Sequence, residues 1–176
     1  VRSIGGDRVE VSLLLPPGVE SHNFEPKPSD IVKINNADLF VFVGDFMETW
    51  AADVIKGITN KNVRVVDSSL GVSLIEGYED DDHESLETEH GHEGIDPHIW
   101  LDFDNAKRMI GTIASAMAER DPENAEFFEN NAKEYIEQLS QLDKRYRETL
   151  LLCASKKIIY GGHYTFGYLI RKYNLE

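Results

Sequence analysis

Thirty consecutive residues, Glu123 to Leu152, contain neither proline nor glycine. Within them Phe128, Ala132, Tyr135, Leu139, Leu142, Tyr146 and Leu150 recur at three- and four-residue steps, the spacing that lines one face of an α-helix. Asp121-Pro122 just ahead supplies a cap and a first-turn proline. The pattern predicts one helix of roughly 45 Å, at about 1.5 Å per residue. A small lobe needs less, so this helix is expected to act as a strut lying across two lobes.

Around it the pattern alternates. Val9, Val11 and Leu13 alternate with polar residues and run into Leu14-Leu15, which predicts a strand over 9–15 ended by Pro16-Pro17-Gly18. Ser29-Asp30 can cap a short helix over about 30–36, with Ile31 and Ile34 inward. The short, mostly apolar run Asp38 to Val43 reads as a buried strand, of the kind found in parallel sheets. A helix over about 46–57 and a strand over 62–66 follow. Ala106, Met109, Ile110, Ile113 and Met117 mark a helix face behind Asp102 or Asp104. Lys157 to Tyr160 reads as a strand, Gly161-Gly162 as a turn, and about 165–173 as a helix. Alternation of this kind predicts an α/β fold with a mainly parallel sheet.

Charge narrows the function. The 18 Lys and Arg against 32 Asp and Glu give a net charge of −14. Nucleic acid and anionic membrane surfaces both need clustered cations and are excluded as partners. The single cysteine, Cys153, sits in an apolar run and is expected to be a small buried hydrophobe; one cysteine allows neither an intrachain disulfide nor a thiolate zinc cluster. Glu79 to Glu93 carries eight carboxylates, three histidines and almost nothing apolar, and is expected to be a loop without a packed core.

Six histidines remain: His22, His83, His90, His92, His98 and His163. Three lie in the acidic stretch. His22 follows the 9–15 segment, His163 follows the 157–160 segment, and His98 precedes the helix capped near Asp102, all places where open α/β sheets bind ligands. Imidazole suits zinc and, less exclusively, manganese or iron. The gaps of 76 and 65 residues between His22, His98 and His163 match no short metal signature. Asp96 either accepts from His98 or caps the turn at Pro97; both readings stand. Trp50 and Trp100 read as core or hinge packing, and Phe24 and Tyr164 as walls of a cleft.

Four segments carry a resemblance. Pro17-Gly18-Val19-Glu20-Ser21-His22-Asn23-Phe24-Glu25-Pro26-Lys27-Pro28-Ser29-Asp30, the run Ala37-Asp38-Leu39-Phe40 through Trp50, Asp96-Pro97-His98-Ile99-Trp100-Leu101-Asp102, and Gly162-His163-Tyr164-Thr165-Phe166-Gly167-Tyr168-Leu169 resemble, in this order, the motifs of the zinc and manganese solute-binding proteins of ABC importers, among them the streptococcal-type adhesin lipoproteins. The resemblance implies two α/β lobes with parallel sheets, joined by one long helix, with metal in the cleft between them. Residues 1–120 would be the N-terminal metal-binding lobe, 121–153 the inter-lobe helix, and 154–176 the start of the C-terminal lobe. Both ends are read as cut, with an opening strand before Val1 and a fourth ligand, Asp or Glu, beyond Glu176.

By the same resemblance His22, His98 and His163 are metal ligands, and His83, His90 and His92 belong to a weak secondary capture loop. Manganese members tend to carry a carboxylate where His163 stands, so zinc is expected, with manganese or iron as the alternative. A metallohydrolase built on the same histidines is the competing class, but no motif places a general base, and no enzyme activity is expected. The implied partners are a divalent metal ion and the membrane permease of an ABC transporter. The implied location is the periplasm or the outer cell surface, with any membrane anchor outside this chain. Imidazole binds metal as the neutral base, so capture should fade below about pH 6.

Overall fold

The computed structural model describes residues 1–19, 21, 24–76, 94–162 and 164–176. The long helix is there: α5 runs Ala125–Leu151, 27 residues, behind a 3-10 turn at Pro122–Asn124. The other helices are α1 (Arg2–Gly5), α2 (Pro28–Asn35), α3 (Ala51–Lys56), α4 (Phe103–Arg120) and α6 (Gly167–Tyr173). Strands β1 (Leu39–Phe42) and β2 (Arg64–Asp67) pair in parallel, Leu39 opposite Arg64 and Phe42 opposite Asp67, with α3 in the crossover between them. No helix among the described residues is long and apolar enough to cross a membrane.

Side-chain alternation on β1 splits the interior into two clusters. Phe40 and Phe42 point into a cluster with Ile34 of α2 and with Ala51 and Val54 of α3. Leu39 packs instead on a second cluster of Ile4, Ile110, Ala114, Met117, Phe128 and Ala132, contributed by α1, α4 and α5. The sheet thus carries helices on both faces, as expected for an α/β layer. Asp102 caps α4 by accepting the Asp104 N–H at 2.7 Å.

Several expectations need correction. Residues 9–15 form no strand: the segment leaves Val9 in an extended conformation, but Leu13 is 79% exposed. The alternating face breaks down at Leu13, and it is Leu14, of the other parity, that packs on the β1 cluster, while Val9 packs on the cluster of α1, α4 and α5. The expected helix over 46–57 begins only at Ala51. Ahead of it the Glu48 carboxylate accepts N–H bonds from Val43 (2.7 Å) and Gly44 (3.4 Å), holding 43–48 in a turn. Residues 157–160 form no strand element either, although Ile158 N–H donates to Glu176 C=O at 2.7 Å and Glu176 N–H to Lys156 C=O at 2.8 Å, a single rung of parallel pairing. Cys153 is exposed, not buried, because α5 ends at Leu151 and the residues that follow, Leu152 included, stand in solvent.

Glu48 carries a stability consequence. Burial pushes its carboxyl above the ordinary value of 4.5, against the pull of the Val43 and Gly44 N–H groups, and the nearby Asp67 adds to the rise. The folded chain therefore holds this proton more tightly than the unfolded chain. Below pH 4.5 there is no penalty; as pH climbs from there the unfolded form ionises first and stability is lost. Glu48→Gln, which keeps an acceptor oxygen, should raise the melting temperature at pH 7 by about 2–4 °C for each kcal/mol relieved. The gain should vanish near pH 4. A gain of equal size at both pH values would rule out ionisation as its source.

Candidate metal centre

His98 is the one candidate ligand among the described residues, and its surroundings are built for orientation. Asp96-Pro97-His98 enters a 3-10 turn over Ile99–Leu101, and Asp96, His98 and Ile99 are all buried. Asp96 Oδ1 accepts the His98 backbone N–H at 3.0 Å and lies 2.8 Å from the ring Nδ1. Both readings of Asp96 are therefore true together: one oxygen caps the turn at Pro97 and holds the imidazole. A carboxylate in this place suits the tautomer in which Nδ1 donates, the one that coordinates a metal through Nε2. This is the carboxylate–histidine arrangement that orients metal-ligating imidazoles.

Asp96 is itself held. Its N–H donates to Ile75 C=O at 3.0 Å, and its C=O accepts the Tyr168 hydroxyl at 2.9 Å. The antiparallel bridge Glu76↔Ile95 closes the stem of the acidic segment immediately beside it. Trp100, expected in core or hinge packing, is 38% exposed, with its ring centroid 5.5 Å from that of His98 in an edge-to-face arrangement.

His22, His163, His83, His90 and His92 lie outside the described residues, and so does the whole of 77–93. Among the described residues no group of three or more His, Cys, Asp or Glu side chains is placed to hold a metal ion. The flanks of position 22 are defined: Ser21 C=O accepts the Trp50 indole N–H at 3.0 Å, and buried Phe24 packs edge-on against the same indole at 5.1 Å. Trp50 thus holds the chain on both sides of position 22, a packing role with a positional effect. After position 163, Gly167 opens α6 directly against Asp96: a Cβ there would overlap Asp96 Oδ2.

Helix α6 is fastened at its far end too. Lys172 Nζ reaches Asp102 at 2.8 Å and Asp104 at 2.6 Å, while the Tyr173 hydroxyl donates to Asp143 of α5 at 2.7 Å. Burial alone would pull the Lys172 ammonium down, but the two carboxylates outweigh it and raise its pKa. Lys107 and then Lys172 hold the Asp104 carboxyl down to about 2. Sequence reasoning passed over Tyr168 and Gly167 although both stand in a quoted motif, because their partners lie far away in the chain.

The family profile of the zinc-uptake complex component A, periplasmic, matches residues 1–176. A high-affinity zinc uptake system protein, ZnuA, of Bacillus subtilis strain 168 is 40% identical over 99% of this chain and 55% of its own length. The zinc-binding lipoprotein AdcA of Streptococcus pneumoniae strain R6 is 34% identical over 99% of this chain and 35% of its own. Among solved structures, the metal-dependent lipoprotein YcdH of Bacillus subtilis superposes with a TM-score of 0.85 at 36% identity, over 99% of this chain and 60% of that one. Zn(II)-bound AdcA of Streptococcus pneumoniae gives 0.81 at 32% identity, over 99% and 35%. The chain therefore spans little more than half the length of the ZnuA relative it matches.

Proposed function

We propose that this chain, which belongs to the family of the periplasmic zinc-uptake component ZnuA, captures zinc outside the cytoplasm and hands it to the permease of an ABC importer. The observation that carries the reading is the buried Asp96–His98 pair, with the carboxylate 2.8 Å from Nδ1, the arrangement that orients metal-ligating imidazoles. His22 and His163 are the proposed companions, and a carboxylate from elsewhere in the full-length protein completes a four-coordinate site. The zinc uptake of the ZnuA relative and the zinc binding of the AdcA relative support zinc over manganese. The same relatives support transport rather than catalysis, since a carrier needs a closed coordination shell and no reactive water. Residues 1–120 then form the metal-binding lobe, 121–153 the inter-lobe helix and 154–176 the opening of the second lobe. His83, His90 and His92 remain proposed as a secondary capture loop.

The test is a calorimetric zinc titration of the full chain against His22→Ala and His163→Ala, repeated with manganese. Each substitution should weaken zinc at least ~10-fold, no less than the loss of an outer-shell partner costs, and manganese should bind more weakly than zinc to the parent. Parent-like zinc binding in both variants would refute the ligand set.

A further inference from the structure

We propose that Tyr168 is a positioning residue for metal capture, its buried hydroxyl fixing the Asp96 backbone, and through it the His98 imidazole, to helix α6. The inference rests on the reading of His98 as a zinc ligand. Tyr168 is 0% exposed. Its hydroxyl donates to Asp96 C=O at 2.9 Å and accepts the Ile75 N–H at 3.1 Å, while Asp96 N–H returns to Ile75 C=O at 3.0 Å. Three residues thus close a ring of hydrogen bonds around the stem that leads into 77–93. Burial pushes the phenol's pKa up, so it stays a neutral donor.

The ring has a firm anchor and a sensitive load. The anchor is α6, pinned by Lys172 to Asp102 and Asp104 and by Tyr173 to Asp143. The load is Asp96, whose single oxygen Oδ1 sets both the His98 backbone and the ring. Without the hydroxyl, the Asp96 carbonyl and the Ile75 N–H each lose a partner, and segment 95–98 must shift to find another. Any such shift carries Nε2 with it, and metal sites tolerate deviations of only about 0.2 Å in ligand distance.

Zinc affinity by chelator competition, melting temperature and the cobalt(II) absorption spectrum should be measured for the full chain and for Tyr168→Phe, Tyr173→Phe and His98→Ala. Tyr173→Phe is the matched control: it removes a hydroxyl bond from the same helix without touching Asp96. Tyr168→Phe should bind zinc ~10–100-fold more weakly and shift the cobalt(II) bands. Tyr173→Phe, which loosens the anchor but keeps the bond to Asp96, should lose thermal stability and weaken zinc far less than Tyr168→Phe. Equal weakening in the two tyrosine variants would overturn the inference by reducing it to general destabilisation. So would parent-like affinity in Tyr168→Phe, or failure of that variant to fold, which would make the hydroxyl a condition of folding. If His98→Ala binds zinc as the parent does, the ligand reading itself falls; if His98→Ala is impaired and Tyr168→Phe is not, only the positioning role falls.

Discussion

His98→Ala should lower zinc affinity by at least ~100-fold, beyond the 10–100-fold that the loss of an orienting partner costs. It should also destabilise the zinc-free fold. Asp96 is 0% exposed, and its Oδ2 has no hydrogen-bond partner among the described residues. Removing the imidazole takes away the Nδ1 contact at 2.8 Å and leaves a buried carboxylate supported by backbone N–H alone. Leaving a buried acceptor without its partner costs about 1–3 kcal/mol, so the melting temperature should drop by roughly 2 °C or more. Asp96→Ala added to His98→Ala separates the two effects. The double variant should recover much of the stability, since no buried acceptor is left without a partner, and none of the zinc affinity. Calorimetric titration and thermal melting read both. Parent-like zinc binding in His98→Ala would end the assignment of this residue as a ligand.

Gly167→Ala should both destabilise the fold and weaken zinc binding, because its added methyl meets the carboxylate that holds His98. Gly167 needs no left-handed backbone, since its φ is not among the positive ones; it needs space. The added Cβ would overlap Asp96 Oδ2 and stand 3.7 Å from the Tyr164 ring. An exposed carboxylate would swing aside, but this one is buried and held at Oδ1 from two directions. Helix α6 is no freer, with Tyr168, Lys172 and Tyr173 all engaged. Overpacking of this kind costs about 1–3 kcal/mol, and displacement of the orienting carboxylate should weaken zinc by ~10–100-fold. Gly111→Ala, on α4 with nothing within 4 Å of its added methyl, is the control: it should leave zinc affinity unchanged and, through alanine's better helix propensity, raise stability by about 0.5–1 kcal/mol. Equal zinc affinity in Gly167→Ala and the parent would mean that Asp96 does not orient the ligand.

Helices α4 and α5 were legible in the sequence because packing on a common face enforces a 3.6-residue period, and the capping signals at Asp102 and Asp121-Pro122 fell at their starts. Strand β1 was legible from its short apolar run, and β2 fell on the segment expected at 62–66. Residues 9–15 were not legible, since alternation along one segment does not supply the neighbouring strand that a ladder needs, and Leu13, on the alternating face, stands exposed. The late start of α3 was illegible for a related reason: the Glu48 side chain competes for the Val43 and Gly44 N–H groups, a contest that propensity does not register. At the site, His98 stood out through its motif, and Asp96 through its place two residues earlier. Tyr168 did not, because its hydroxyl joins residues 93 and 72 positions away, and no local pattern encodes a bond of that span.

Strand β1 contributes to both apolar clusters, Leu39 on one side and Phe40 with Phe42 on the other. A four-residue ribbon serving as a party wall leaves neither room able to stand alone. Trimming the chain from either end to isolate a smaller zinc module would strip one face of that wall, so a minimal metal-capturing unit cannot be drawn inside either half.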